Sequence, residues 1–167
     1  MSTQIGYKEF LDDFRSTIVS ATARLRDIPE AQSGAKNSPD DWSAKETIGH
    51  LIDSAANNHQ RFVRAQFTDD LVFPGYEQDP WVSSQNYQNE PWAEVIQLWS
   101  SYTLHLVHIA SAIPEHLLTK PRSPHTLDQI AFNLVDKNDS ATLEYLIRDY
   151  LDHLRHHLKQ IFAEVTE

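Results

Sequence analysis

Near the end of the chain, His153-Leu154-Arg155-His156-His157 places three imidazoles within five residues. They fall inside residues 146–162, whose pattern predicts an amphipathic helix. Residues four apart lie on one helical face about one turn apart, so His153 and His157 can aim two ring nitrogens at one ion. At about 100° per residue, the apolar stripe runs through Leu143, Ile147, Tyr150, Leu154, Leu158, Ile161 and Val165. His157 falls beside the centre of that stripe, His153 at its edge, and His156 well away from it. A polar pair on a core-facing surface needs a cause, and a metal ion is the leading one. The rival is a pair of hydrogen-bonded core histidines. A mononuclear site also needs a third protein ligand from another element.

Four long helical segments would have to position such a site. The first covers about residues 7–28, with Phe10, Phe14, Ile18, Ala21, Leu25 and Ile28 at helical spacing, and stops at Pro29. A polar loop, 32–39, follows. The second opens at Trp42-Ser43-Ala44-Lys45-Glu46, where Ser43 and Glu46 match a capping box, and continues to about Phe67. Residues 68–90 form a long connection rich in Pro, Gly, Asp and aromatics. Loops of that length in compact domains often form a lid or one wall of a site; the alternative is an inert crossover with its aromatics tucked into the core. Pro91 suits a first helical turn, and Trp92, Val95, Ile96, Trp99, Tyr102, Leu106, Ile109 and Ile113 carry the third helix to Pro114. Residues 128–135 suggest a short extra helix or strand, and the fourth long helix spans about 140–165. The expected architecture is an all-α four-helix bundle, one domain over 1–167, with a long crossover between helices 2 and 3.

Composition narrows the chemistry. Of 167 residues, 40% are apolar and four are Trp, which fits one globular domain with a sizeable core. No apolar run approaches the ~18 residues of a membrane span, and no secretory signal is visible at the N-terminus, so a cytoplasmic location is expected. There is no cysteine, so a metal must be held by His, carboxylate and water, and any thiol must come from outside. A net charge of −10 repels phosphate backbones, and the basic residues are scattered, so nucleic-acid binding is not expected.

The search for a third ligand leads to Ile48-Gly49-His50-Leu51-Ile52-Asp53-Ser54 in the second helix. Periodicity alone puts His50 off the apolar stripe, on a polar line with Glu46, Asp53 and Asn57, which reads as a solvated position. Three motifs in order carry a further signal: Trp42-Ser43-x-x-Glu46-x-x-x-His50-Leu51, Tyr76-x-x-Asp79-x-Trp81, and His153-x-x-His156-His157-x-x-x-Ile161. Their order and spacing resemble the DinB superfamily of metal-binding four-helix bundles, and within it the bacillithiol-transferase branch, often described as metal-dependent hydrolases. The resemblance covers nearly the whole chain. It departs from the transferase pattern at residues 155–160 and around residues 133–138.

The resemblance implies that His50, His153 and His157 form the metal triad, that the ion is divalent (nickel or zinc), and that the protein is a homodimer acting on a small-molecule substrate. It further implies a low-molecular-weight thiol as cosubstrate. Three neutral imidazoles leave open positions, as in catalytic rather than structural sites, and imidazole suits several metals alike. An open position could serve thiol S-transfer to an electrophile, the leading expectation, or metal-dependent hydrolysis with activated water, the alternative. A non-catalytic dimeric helical binding module is the rival from another class. Asp53, and Asp152 or Asp149, are the candidates for orienting a ligand or acting as base; taken singly, each also reads as a solvated carboxylate. His105 and His108 read as surface or interface positions, His59 as a solvated position on the second helix, and His116 and His125 as loop residues. Because imidazoles ligate only when neutral, metal binding is expected to weaken as pH falls through roughly 6.5. Retention at about pH 4.5 would then point to carboxylate ligands.

Overall fold

The computed structural model describes residues 6–165. Residues 1–5 of the N-terminal stretch read for a leader, and the side chain of Val165 at the end of the apolar stripe, lie outside that description. The four long helices are α1 (Tyr7–Arg26), α3 (Ala44–Arg64), α5 (Trp92–Ala112) and α8 (Leu143–Val165). Between them come four short ones: α2 (Glu30–Ser33), α4 (Gln78–Gln85), α6 (Glu115–Leu118) and α7 (Leu127–Ile130). In α1 the residues marked by periodicity, Phe10, Phe14, Ile18, Ala21 and Leu25, are buried. The capping box at the start of α3 is formed in both directions. Ser43 Oγ accepts from Glu46 N–H at 3.2 Å, and Glu46 Oε2 accepts from Ser43 N–H at 2.9 Å.

Side-chain contacts fix the helix directions. Tyr7 at the start of α1 donates to Ala110 O near the end of α5, and Trp92 at the start of α5 donates to Leu25 O near the end of α1, each at 3.1 Å. These two helices are antiparallel. Helices α3 and α5 are parallel, since Lys45 donates to Glu90 O at their beginnings and His59 meets Tyr102 further along. Helix α8 runs against α3, with Phe62 late in α3 edge-on to Tyr150 early in α8. It runs alongside α1, from Arg148 over Phe10 to Arg24 over Phe162.

The parallel α3/α5 pair explains the long crossover. At 21 residues, α3 is about 32 Å long, and the chain must return that distance before α5 begins. The expected four-helix bundle with a crossover between its second and third long helices is what forms.

Two stretches differ from the sequence expectation, the crossover and the loop after α1, while the short extra helix expected near residue 128 forms. The crossover contains the two-turn helix α4 and a 3-10 turn at Tyr87–Asn89, where a loop was expected. Pro80 sits in the first turn of α4, where a missing N–H costs nothing. The polar loop after α1 begins with the single turn α2. Residues 128–135 are one helical turn, α7, followed by irregular chain. The crossover and this last segment meet at one end of the bundle, where Leu71 N–H donates to Pro124 O and Thr126 N–H to Leu71 O.

Candidate metal centre

Helix α3 sits at the middle of the bundle, packed by α5 and α8 and covered over its first half by α2, α4 and the 3-10 turn. That arrangement overturns the solvated reading of His50, which is fully buried. The periodicity argument assumes one wet face, and the N-terminal half of α3 has none: residues 47–55 are all buried. Its true polar line also differs from the one read from the sequence. It runs His50, Ser54, Asn58, Arg61, at steps of four, four and three residues on one face.

His50 on α3 and His153 and His157 on α8 bring their ring nitrogens together. His50 Nε2 lies 3.2 Å from His153 Nε2, which lies 3.1 Å from His157 Nε2, and all three ligand atoms fall within 4.8 Å of one another. Nitrogens bound at ~2.0–2.1 Å to one ion, at angles of roughly 90–110°, sit about 2.9–3.4 Å apart. The two separations, 3.2 and 3.1 Å, match that spacing. The other ring nitrogens face outward. His157 Nδ1–H donates to Gln160 Oε1 at 2.9 Å, and Ser54 Oγ stands 3.5 Å from His153 Nδ1. The Gln160 contact holds the His157 tautomer that leaves Nε2 free for a metal. Nδ1 of His50 is buried with no partner.

Burial lowers the proton affinity of all three rings. It pulls His50 down to about 3, with help from His157. His153 is likewise pulled to about 3, by burial first and then by the other histidines and Arg61. His157 is lowered by burial, with the Gln160 bond opposing. The rings are therefore neutral at neutral pH, which is the ligating form. The expectation that protons displace the metal near 6.5 is revised for the folded site, since His50 and His153 resist protonation well below that value. Retention at about pH 4.5 no longer argues for carboxylates.

The triad opens onto a cavity of about 350 Å3. Ser54, Asn58 and Arg61 form its α3 wall; Asp149, Tyr150, His153 and His157 form its α8 wall. The crossover contributes Gly75, Tyr76 and Gln78, and the stretch after α7 contributes Ala131 and Phe132. The crossover thus lines the cavity, and it also tucks Phe73 and Tyr87 into the core. His156 is exposed, as its helical angle indicates, yet it reaches the rim against the Phe132 ring.

The carboxylate candidates separate. Asp53 is buried behind His50 on the crossover side, where its Oδ1 accepts from Gln85 at 2.7 Å and Tyr87 at 2.8 Å. Burial raises its pKa against those two bonds. Its Oδ2 is buried without a partner. Asp149 lines the cavity and accepts from the backbone N–H groups of Phe132 and Asn133 at 2.8 and 2.6 Å; burial raises it too. Asp152 is exposed, bonded to Asn133 Nδ2 at 3.3 Å, and is not among the cavity residues.

Of the remaining histidines, His105, His108 and His116 are exposed. His59 is half-buried rather than solvated, bonded to the Tyr102 hydroxyl at 3.0 Å. His125 is a buried loop strut, donating from Nε2 to Asp139 O and accepting at Nδ1 from Leu127 N–H. Sequence reasoning missed Ser54, Asn58 and Arg61 as cavity residues, although their shared face with His50 was a usable signal.

Three imidazoles converging beside a polar cavity in a four-helix bundle make a candidate metal centre. The sequence profile of the DinB superfamily matches residues 14–161, and the chain belongs to that superfamily. Among solved structures, the chain is similar to YfiT from Bacillus subtilis, described as a probable metal-dependent hydrolase with an unusual four-helix bundle topology. The two share 16% identity with a TM-score of 0.72, over 98% of this chain and 90% of that one. No curated protein matches the chain in sequence.

Proposed function

We propose that this protein is a metal-dependent hydrolase of small molecules, with a divalent ion held by His50, His153 and His157. The observation that carries the reading is the convergence of three neutral Nε2 atoms at the wall of a cavity large enough for a ligand. A divalent ion with open positions polarises a carbonyl or phosphoryl oxygen and lowers the pKa of a coordinated water. The protein residues supply the rest. Gln160 holds the His157 ring in its ligating tautomer. Asp53 fastens the crossover to α3, one turn beyond His50, through Gln85 and Tyr87. Tyr76 and Phe132 line the cavity beside the triad. Nickel or zinc would suit an all-imidazole donor set equally.

Hydrolysis ranks above thiol transfer because the similar solved structure is described as a hydrolase. S-transfer rests on the motif resemblance and would need a diffusible thiol, the chain having no cysteine. Protein purified without a polyhistidine tag should carry close to one divalent ion per chain by elemental analysis. It should turn over members of an ester, amide and phosphoester panel with no thiol present, and His157→Ala should abolish that turnover. Activity that appears only with an added small thiol and a halo-nitroarene would move the assignment to S-transfer. A metal-replete protein silent in both assays would leave a non-catalytic binding module.

A further inference from the structure

Arg61 is a buried cation in the cavity wall, 6% exposed, in a chain of net charge −10. A guanidinium has five N–H donors. Here the bonds are Nη1 to Asn58 Oδ1 at 3.5 Å and Nη2 to Pro74 O at 3.2 Å. Both are longer than the ~2.7–2.9 Å of a strong charge-assisted bond, and both acceptors are neutral. No carboxylate of a described residue comes within ion-pairing distance of it. The acid facing the same cavity, Asp149, has each oxygen engaged by a backbone N–H. A buried charge that makes no ion pair is costly; Asp149 acts on this one only through space, and Arg61 lies on the His50 face of α3, two turns beyond Ser54.

We propose that Arg61 receives the negatively charged end of the substrate, so that the cavity selects small carboxylates and presents their other end to the histidine triad. This deepens the hydrolase reading and rests on it for the triad end alone. One planar guanidinium matches a carboxylate through two parallel N–H···O bonds. The cavity supplies no other Lys or Arg, which suits a monoanion better than a doubly charged phosphate. With a divalent ion in place, that ion and Arg61 face Asp149 as the one carboxylate among the lining residues, so the loaded cavity is electropositive inside an acidic protein.

The test uses chelator-treated full-length protein, so that metal–carboxylate bonds cannot contribute. 3-Phenylpropionate and its neutral amide are titrated by calorimetry, with acetate and methylphosphonate as further probes, while side-chain NMR follows the Arg61 Nε–H resonance. The acid should bind at least about tenfold more tightly than the amide, and Arg61 Nε–H should shift well beyond that of exposed Arg64. Arg61→Gln should erase the preference for the acid, and Arg61→Lys should keep part of it. Equal binding of acid and amide, a preference that survives in folded Arg61→Gln, or an Arg61 resonance that moves no more than that of Arg64 with any of these anions would each overturn the inference. If Arg61→Gln does not fold, Arg61→Lys and the wild-type resonance still decide. Metal content is measured separately, so an absent metal with an intact Arg61-dependent anion site would sink the hydrolase reading and leave this one standing.

Discussion

At the level of single residues, the triad depends on three imidazoles staying neutral in positions where a charged group would normally be expelled. Burial provides that neutrality for His50 and His153, and Gln160 orients His157. His156, three residues from His153 and exposed, shares their chemistry but not their direction. Alanine at His50, His153 or His157 should therefore strip most of the metal, while His156→Ala should leave content near wild type. Plasma emission analysis of the four purified variants reads this directly. Metal lost from His156→Ala and kept by His153→Ala would show that the ligand assignment is wrong. Two of these ligands were visible from their spacing on one helix. The third was not, because His50 lies off the apolar stripe and only the motif order pointed to it.

Among the elements, α3 and the crossover have to be considered together. Gly49 lies one turn before Asp53, and a Cβ there would sit inside the ring of Tyr87. The absence of a side chain at Gly49 lets the 3-10 turn close over α3, and the Tyr87 hydroxyl then binds Asp53. Gly49→Ala gains helix propensity, about 1 kcal/mol, but forces the buried Tyr87 ring out of place at a cost of about 1–3 kcal/mol. Overpacking should win, giving a net loss in chemical denaturation together with weaker metal retention, since the crossover walls the site. A more stable Gly49→Ala protein would show that Tyr87 is free to move aside. The same pairing shows what the sequence could reveal. The long helices were legible from their periodic apolar residues, and the capping box marked the start of α3. Helix α4 was not, since its residues 78–85 carry Pro80 and bury only Val82, leaving no stripe to read. The His50–Ser54–Asn58–Arg61 line was hidden for a related reason: it faces an internal cavity, and polar residues there look like polar residues facing water.

For the molecule as a whole, none of the described helices is long and apolar enough to cross a membrane. Exposed Phe67, Val72 and Leu134 leave apolar surface for the homodimer that the motif resemblance implies. Light scattering at micromolar concentration should show twice the chain mass, and a monomer there would remove that proposal. The pH response follows from linkage. His50 and His153 have folded pKa values near 3 against about 6.5 when unfolded. Between those limits the unfolded chain binds more protons, so stability rises with pH and is lost as pH falls from about 6.5 towards 3. Asp53 and Asp149 act in the opposite sense. Burial raises their folded values, so acid relieves the cost of burying their charges and offsets part of the loss. The prediction follows the two histidines, whose folded values are lowered to about 3, with the carboxylates opposing them. Metal adds to the effect, because it binds the neutral rings of the folded state and stabilises that state by mass action. Chelated protein should thus show a thermal midpoint that drops between pH 7 and pH 5, and added zinc or nickel should raise the midpoint at pH 7. His153→Ala removes one depressed histidine and the site together, so it should flatten the pH slope and abolish the metal-dependent rise. A chelated wild-type midpoint that stays level or climbs as pH falls from 7 to 5 would mean that these rings are not held neutral by the fold.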